Sequence, residues 1–98
     1  MFNPIQYDYK EFDLTTGNSN YDVKEEVLEL FSNVTVARRV IIKTNKNISI
    51  KFNNTNLPAI TLDIGDSPFQ MPEDFMEVSN IFLTNASGDT AAIKIWLV

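Results

Sequence analysis

Alternation with a period of two runs through most of this chain, and it restricts the fold more than any other feature. Ile48, Ile50 and Phe52 alternate with Ser49, Lys51 and Asn53; Ile93, Ile95 and Leu97 alternate with Lys94, Trp96 and Val98. Side chains of an extended segment point alternately to opposite faces, so this pattern buries one face of a strand and cannot lay an apolar stripe along a helix. Residues 7–14 alternate aromatic and charged positions and end in the Gly/Asn/Ser-rich turn of residues 15–20. Residues 34–43 are β-branched almost throughout, and the polar tip Thr44-Asn45-Lys46-Asn47 then reverses the chain, so 34–43 and 48–53 are expected to pair as a hairpin. Residues 59–64 give a short strand. Two prolines place residues 67–74 in an edge strand or loop. Residues 75–84 hold the apolar run Ile81-Phe82-Leu83, Gly88 supplies a positive φ in the following turn, and residues 90–98 close the chain.

One stretch reads differently. Asp22 is placed to cap a helix with Glu25 three residues on, and Val27, Leu28 and Phe31 then fall on one face. The expected fold is therefore all-β: a single-domain β-sandwich over residues 1–98, jelly-roll-like, with seven or eight short strands and at most one short helical turn near residues 24–31. Residues 1–20, with Phe2, Pro4 and two tyrosines, suit an N-terminal arm laid over a neighbouring subunit, or a frayed end.

The residue inventory narrows function. The 98 residues contain no His and no Cys, which removes the Ser-His-Asp triad, a thiolate nucleophile and the usual zinc ligands. What remains for catalysis is carboxylates: Asp63 and Asp66 about Gly65, and Glu73, Asp74 and Glu77. All sit in Pro/Gly-containing turns, where solvation rather than a raised pKa is the default, and their spacing fits no calcium loop. No enzyme activity, cofactor or metal is expected.

The net charge of −5 opposes nonspecific nucleic-acid binding. It conceals a segregated pattern: residues 1–33 sum to −5, residues 34–56 carry five cations and no acid, and residues 57–98 sum to −5. Such blocks meet either across a subunit contact or between adjacent strands of one chain. No run approaches the roughly 18–20 apolar residues of a membrane span. The N-terminus lacks a signal-peptide pattern, so a soluble product made in the cytoplasm, with no membrane partner, is expected.

Three residues stand out as interface candidates. Arg38 and Arg39 are adjacent on an expected strand, so one should face the core side or a subunit contact, and the other solvent. The alternatives for the inward one are an intersubunit ion pair or a place beyond the core edge. Trp96 sits opposite in phase to Ile93, Ile95 and Leu97. If that trio packs inside, Trp96 lies on an outer sheet face, as a subunit contact or a sugar-stacking ring; if not, it is core.

The order of segments also resembles small virion proteins of tailed bacteriophages. The resemblance rests on Glu11-Phe12-Asp13-Leu14, Asn20-Tyr21-Asp22-Val23, Leu30-Phe31-Ser32-Asn33, Val40-Ile41-Ile42-Lys43 and Ile48-Ser49-Ile50-Lys51-Phe52-Asn53. It continues through Ala59-Ile60-Thr61-Leu62, Ser67-Pro68-Phe69, Val78-Ser79-Asn80-Ile81-Phe82-Leu83-Thr84-Asn85, Ser87-Gly88 and Ile93-Lys94-Ile95-Trp96-Leu97-Val98. These are strand-and-turn signatures and carry over no functional residue. The resemblance implies a small all-β subunit that decorates or cements a capsid, as a homotrimer or larger ring, with the major capsid protein or another virion protein as partner and the capsid surface as its location. A carbohydrate-binding or receptor-binding module of a tail or fibre is the alternative.

Overall fold

The computed structural model describes residues 6–64, 69–70 and 77–98, and two antiparallel sheets face each other across a single core. In chain order the elements are β1 (Asp8–Leu14), β2 (Tyr21–Asp22), α1 (Val23–Glu26), β3 (Val40–Thr44), β4 (Ile48–Phe52), β5 (Ile60–Leu62), β6 (Phe69–Gln70), β7 (Ile81–Thr84) and β8 (Ala91–Leu97). One sheet has the order β1-β8-β3-β6 and the other β2-β7-β4-β5. The pairs β1·β8, β2·β7, β3·β6 and β4·β5 are thus nested, as in one long hairpin bent about the β4–β5 connection.

Alternation decides which residues meet in the middle. Ala91, Ile93, Ile95 and Leu97 of β8, Val40 and Ile42 of β3, and Leu14 of β1 are buried from one sheet. Ile48, Ile50 and Phe52, Leu62, Ile81 and Leu83 are buried from the other. Each fully buried Ile or Leu contributes about 1.5–3 kcal/mol of transfer free energy. The centre is aliphatic, whereas Tyr7 and Tyr9 are exposed and Phe12, Tyr21, Phe69, Phe82 and Trp96 are half-buried at the periphery.

The chain between the sheets departs from the sequence expectation in three places. First, β3 and β4 are not a hairpin: β3 pairs with β8 and β6, and β4 with β7 and β5. Both strands carry one strongly apolar face, and crossing to opposite sheets turns Val40, Ile42 and Thr44 toward Ile48, Ile50 and Phe52. Asparagines fix the crossing. Asn45 Oδ1 accepts the Ala92 N–H at 2.8 Å in one sheet, and Asn47 Oδ1 accepts the Ile64 N–H at 2.9 Å just beyond β5 in the other.

Second, the single short helical turn forms as expected, but the apolar face read for the stretch after it does not. Asp22 does cap the turn, accepting from the Glu25 N–H at 3.2 Å, but α1 ends at Glu26. Glu29 and Phe31 have φ of 74° and 63°, which no right-handed helix contains. Leu28, expected on the apolar face, is 75% exposed, and Leu30 is buried in its stead.

Third, residues 34–39 are not a continuous strand. From Phe31 the buried positions are every third residue, Val34, Ala37 and Val40, a period of neither strand nor α-helix. This segment closes one end of the sandwich. Ala37 exchanges backbone hydrogen bonds with Val78 ahead of β7 before the chain joins the opposite sheet at Arg39 and Val98.

The expectation of an arm over residues 1–20 is narrowed as well. Asp8–Leu14 is a full strand of the sandwich, in register with β8 along its whole length, while residues 1–5 lie outside the described residues.

Candidate functional site

The outward face of the β1-β8-β3-β6 sheet gathers the most unusual surface of the molecule. Its pattern follows from the core: with Ile93, Ile95 and Leu97 inside, Trp96, Lys94 and Ala92 must face out, and their neighbours on β1 and β3 follow by register. One row is therefore Tyr9, Trp96 and Ile41, and the next is Glu11, Lys94 and Lys43. The Tyr9 and Trp96 rings lie 4.7 Å apart at 44°. Exposed Tyr7 and Val98 extend the apolar patch toward the end closed by residues 31–39.

The sequence candidates fall on or beside this face. Trp96 lies outside the core trio, half-buried, and Tyr9 supplies the second ring that the sequence did not pair with it. Arg38 and Arg39 are both exposed and neither turns to the core, which leaves a subunit contact or a place beyond the core edge. The Arg38 and Arg39 N–H groups donate to the same acceptor, Val98 O, at 2.9 and 3.1 Å, and Val98 N–H returns a bond to Arg39 O at 3.0 Å. Two residues opposite one is a β-bulge, which resets the in–out alternation on which the expectation rested.

Charge on the face is arranged in columns. Glu11 of β1 pairs with Lys94 of β8 at 3.4 Å. Lys43 is the register neighbour of Lys94, exposed, and makes no ion pair among the described residues. Two like charges directly opposite on neighbouring strands are unfavourable. Desolvation first, then the hydrogen bond and negative charge of Glu11, push the Tyr9 hydroxyl above its ordinary value, with Lys94 opposing.

The charge blocks also meet within the chain, where Lys46 from the basic centre reaches Asp89 at 3.6 Å. Lys10 and Glu29, both of the first acidic block, pair at 3.7 Å. All these side chains are well exposed, so each pair contributes no more than about 1 kcal/mol.

Asp8 is the residue that the sequence reasoning missed. It lies at the start of β1 on the inward face, 4% exposed. Its carboxylate accepts the Val34 N–H at 2.7 Å, the Asn33 N–H at 3.0 Å and the Ser32 hydroxyl at 3.2 Å. It ties the crossing segment to the edge strand β1 and floors a shallow groove lined by Gln6, Tyr7, Lys10, Glu29 and Asn33. Alternation across Tyr7–Phe12 is ambiguous in sequence, since aromatics occupy both phases, and only the phase of Phe12 and Leu14 marks Asp8 as inward.

Asp63 and Glu77 are exposed, and Asp66, Glu73 and Asp74 lie outside the described residues. Among the described residues no group of three acids is placed to hold a metal ion, and no helix is long and apolar enough to cross a membrane. Set against known proteins, the chain matches no family model, no curated protein and no solved structure.

Proposed function

We propose that this protein is a non-catalytic structural protein of a tailed-bacteriophage virion, a capsid decoration or auxiliary subunit that acts by protein–protein contact. The observation that carries this reading is the strand order. Four nested antiparallel pairs folded into β1-β8-β3-β6 over β2-β7-β4-β5 support reading the two sheets as a jelly roll, an architecture used by viral capsid domains. Its proposed partners are further copies of itself and the major capsid protein, and its proposed location is the capsid surface after synthesis in the bacterial cytoplasm. An outer face with an apolar row beside charged columns suits such contacts.

Imaging of purified virions with a label on this chain is the test. Regular density or label on the head is the expected result; a chain expressed during infection yet missing from washed particles would sink the reading.

The Tyr9–Trp96 pair favours a second reading, a carbohydrate- or receptor-binding module of a tail or fibre, because jelly rolls also serve as lectins and two adjacent rings make a stacking surface. Glycan binding that disappears in Trp96→Ala while the mass in solution stays unchanged would favour it over the first.

A further inference from the structure

We infer that the outward face of the β1-β8-β3-β6 sheet binds the same face of a second copy, about a two-fold axis running along β8. The columns of the face make this geometry complementary. Rotation about β8 carries β1 of one copy over β3 of the other while keeping each row in place. Tyr9 then lies over Ile41 and Glu11 over Lys43, each contact made twice, and Trp96 lies over Trp96 once, on the axis.

The charges support this occupant over an unrelated partner. Within one chain Glu11 compensates Lys94 at 3.4 Å, and the neighbouring Lys43 is left without a carboxylate among the described residues. The two-fold brings the partner's Glu11 over that lysine, while the two Lys94 side chains meet on the axis, each already compensated by the Glu11 of its own chain. The apolar row stays at the centre, with Trp96 on the axis, where an aromatic anchor contributes most to binding. A sheet-on-sheet contact of this type matches the face-to-face packing that already builds the core.

Size sets the strength. β1 and β8 with seven residues each, β3 with five and β6 with two, at about 4.8 Å spacing and about 3.4 Å rise, span roughly 340 Å² per copy. Both copies together reach roughly 700 Å², below the ~1,200 Å² of a stable complex, so the dimer is weak and concentration-dependent. It is also two-fold, where the resemblance to phage proteins implies three copies.

Sedimentation of the full chain from about 10 μM to about 1 mM tests the inference. The expected result is a reversible rise from the 11.2 kDa chain mass to twice that value. Trp96→Ala and Lys43→Glu should each weaken association by about tenfold or more. Glu11→Lys should do the same, and an equimolar mixture of Lys43→Glu and Glu11→Lys chains should recover wild-type association to within about threefold, because each contact then pairs opposite charges again. The recovery also shows that both variants fold.

A strict monomer across the whole range, an assembly of three copies, or a dimer indifferent to Lys43→Glu would each overturn the two-fold contact. The inference goes beyond the virion reading, and the two fail separately: a monomer found on virions removes the dimer alone, and a dimer missing from virions removes the virion assignment alone.

Discussion

Replacing Asp8 by alanine tests whether one buried carboxylate holds the crossing segment against the sheet. The side chain is 4% exposed and accepts from two backbone N–H groups and a hydroxyl, at 2.7 Å from Val34, 3.0 Å from Asn33 and 3.2 Å from Ser32. Val34 is buried, so its N–H loses its acceptor with no water to replace it, a cost of about 1–3 kcal/mol. Asn33 and Ser32 are exposed and can turn to solvent, so together they add about 1 kcal/mol. The expected loss is therefore about 2–4 kcal/mol, from a domain whose size implies a total stability of about 5–15 kcal/mol. Urea unfolding at neutral pH measures it, with Asp8→Asn keeping one acceptor oxygen and losing about half as much. Asp13→Ala is the control: it lies on the same strand but faces outward, and it should stay within about 0.5 kcal/mol of the parent protein. If Asp8→Ala and Asp13→Ala proved equally mild, the claim that Asp8 is a structural clamp would be refuted.

Three further variants follow from the turns and rings. Asn85 is buried, with Nδ2 donating to Leu14 O at 2.8 Å and Asp89 O at 2.9 Å and Oδ1 accepting from the Ser87 N–H and hydroxyl. Asn85→Ala should cost about 2–4 kcal/mol in the same urea assay, and a loss below about 0.5 kcal/mol would contradict the clamp. Gly88 has φ of 90° with open space where a Cβ would stand, so Gly88→Ala should lose about 1 kcal/mol through backbone strain alone, and an unchanged midpoint would show that the turn relaxes freely. Tyr21 and Tyr9 are both raised above the ordinary 10.0, Tyr21 by desolvation and then by the charge of Glu26. Their neutral forms thus stabilise the fold fully below pH 10 and less as pH climbs through the raised values, and a Tyr9→Phe/Tyr21→Phe double variant with an undiminished alkaline loss of stability would remove them as its source.

How far the sequence was legible depends on which signal each residue obeyed. Where one side of a strand is buried and the other is wet, period-two alternation is sufficient. β8 and β4 follow it residue by residue, and the outward position of Trp96 was readable from Ile93, Ile95 and Leu97 alone. Pairing was not readable from the same signal. The alternation of β3 and β4 is equally satisfied by a hairpin and by two strands facing each other across a core, and the four-residue tip allows both. What separates the two is where Asn45 and Asn47 send their side-chain oxygens, to β8 and to the end of β5, partners 47 and 17 residues away. A local reading contains neither partner.

The misplaced features share a second cause. Residues 27–39 span the gap between the sheets, and their buried positions are set by where the chain passes the core rather than by any repeating backbone geometry. Asp22 supplied a true cap, yet the helix it started lost to the burial of Val27, Leu30 and Phe31, which needs a left-handed φ at Glu29 and Phe31. Burial of three large apolar side chains outweighs the propensity and capping terms of one short helix, which amount to about 1–2 kcal/mol. The same crossing ends in the bulge opposite Val98, so the rule of opposite faces fails at Arg38 and Arg39, where two residues share one partner. The candidate face was thus half visible. Its Trp96 came from alternation within one strand, whereas Tyr9, Lys43 and Glu11 became its neighbours through the register of β1 and β3 on β8, which joins chain ends more than 80 residues apart. That register also turns the segregated charge of the sequence into columns on one face, acidic on β1 and basic on β3, so a block pattern that was ambiguous along the chain becomes a specific two-fold complementarity in space.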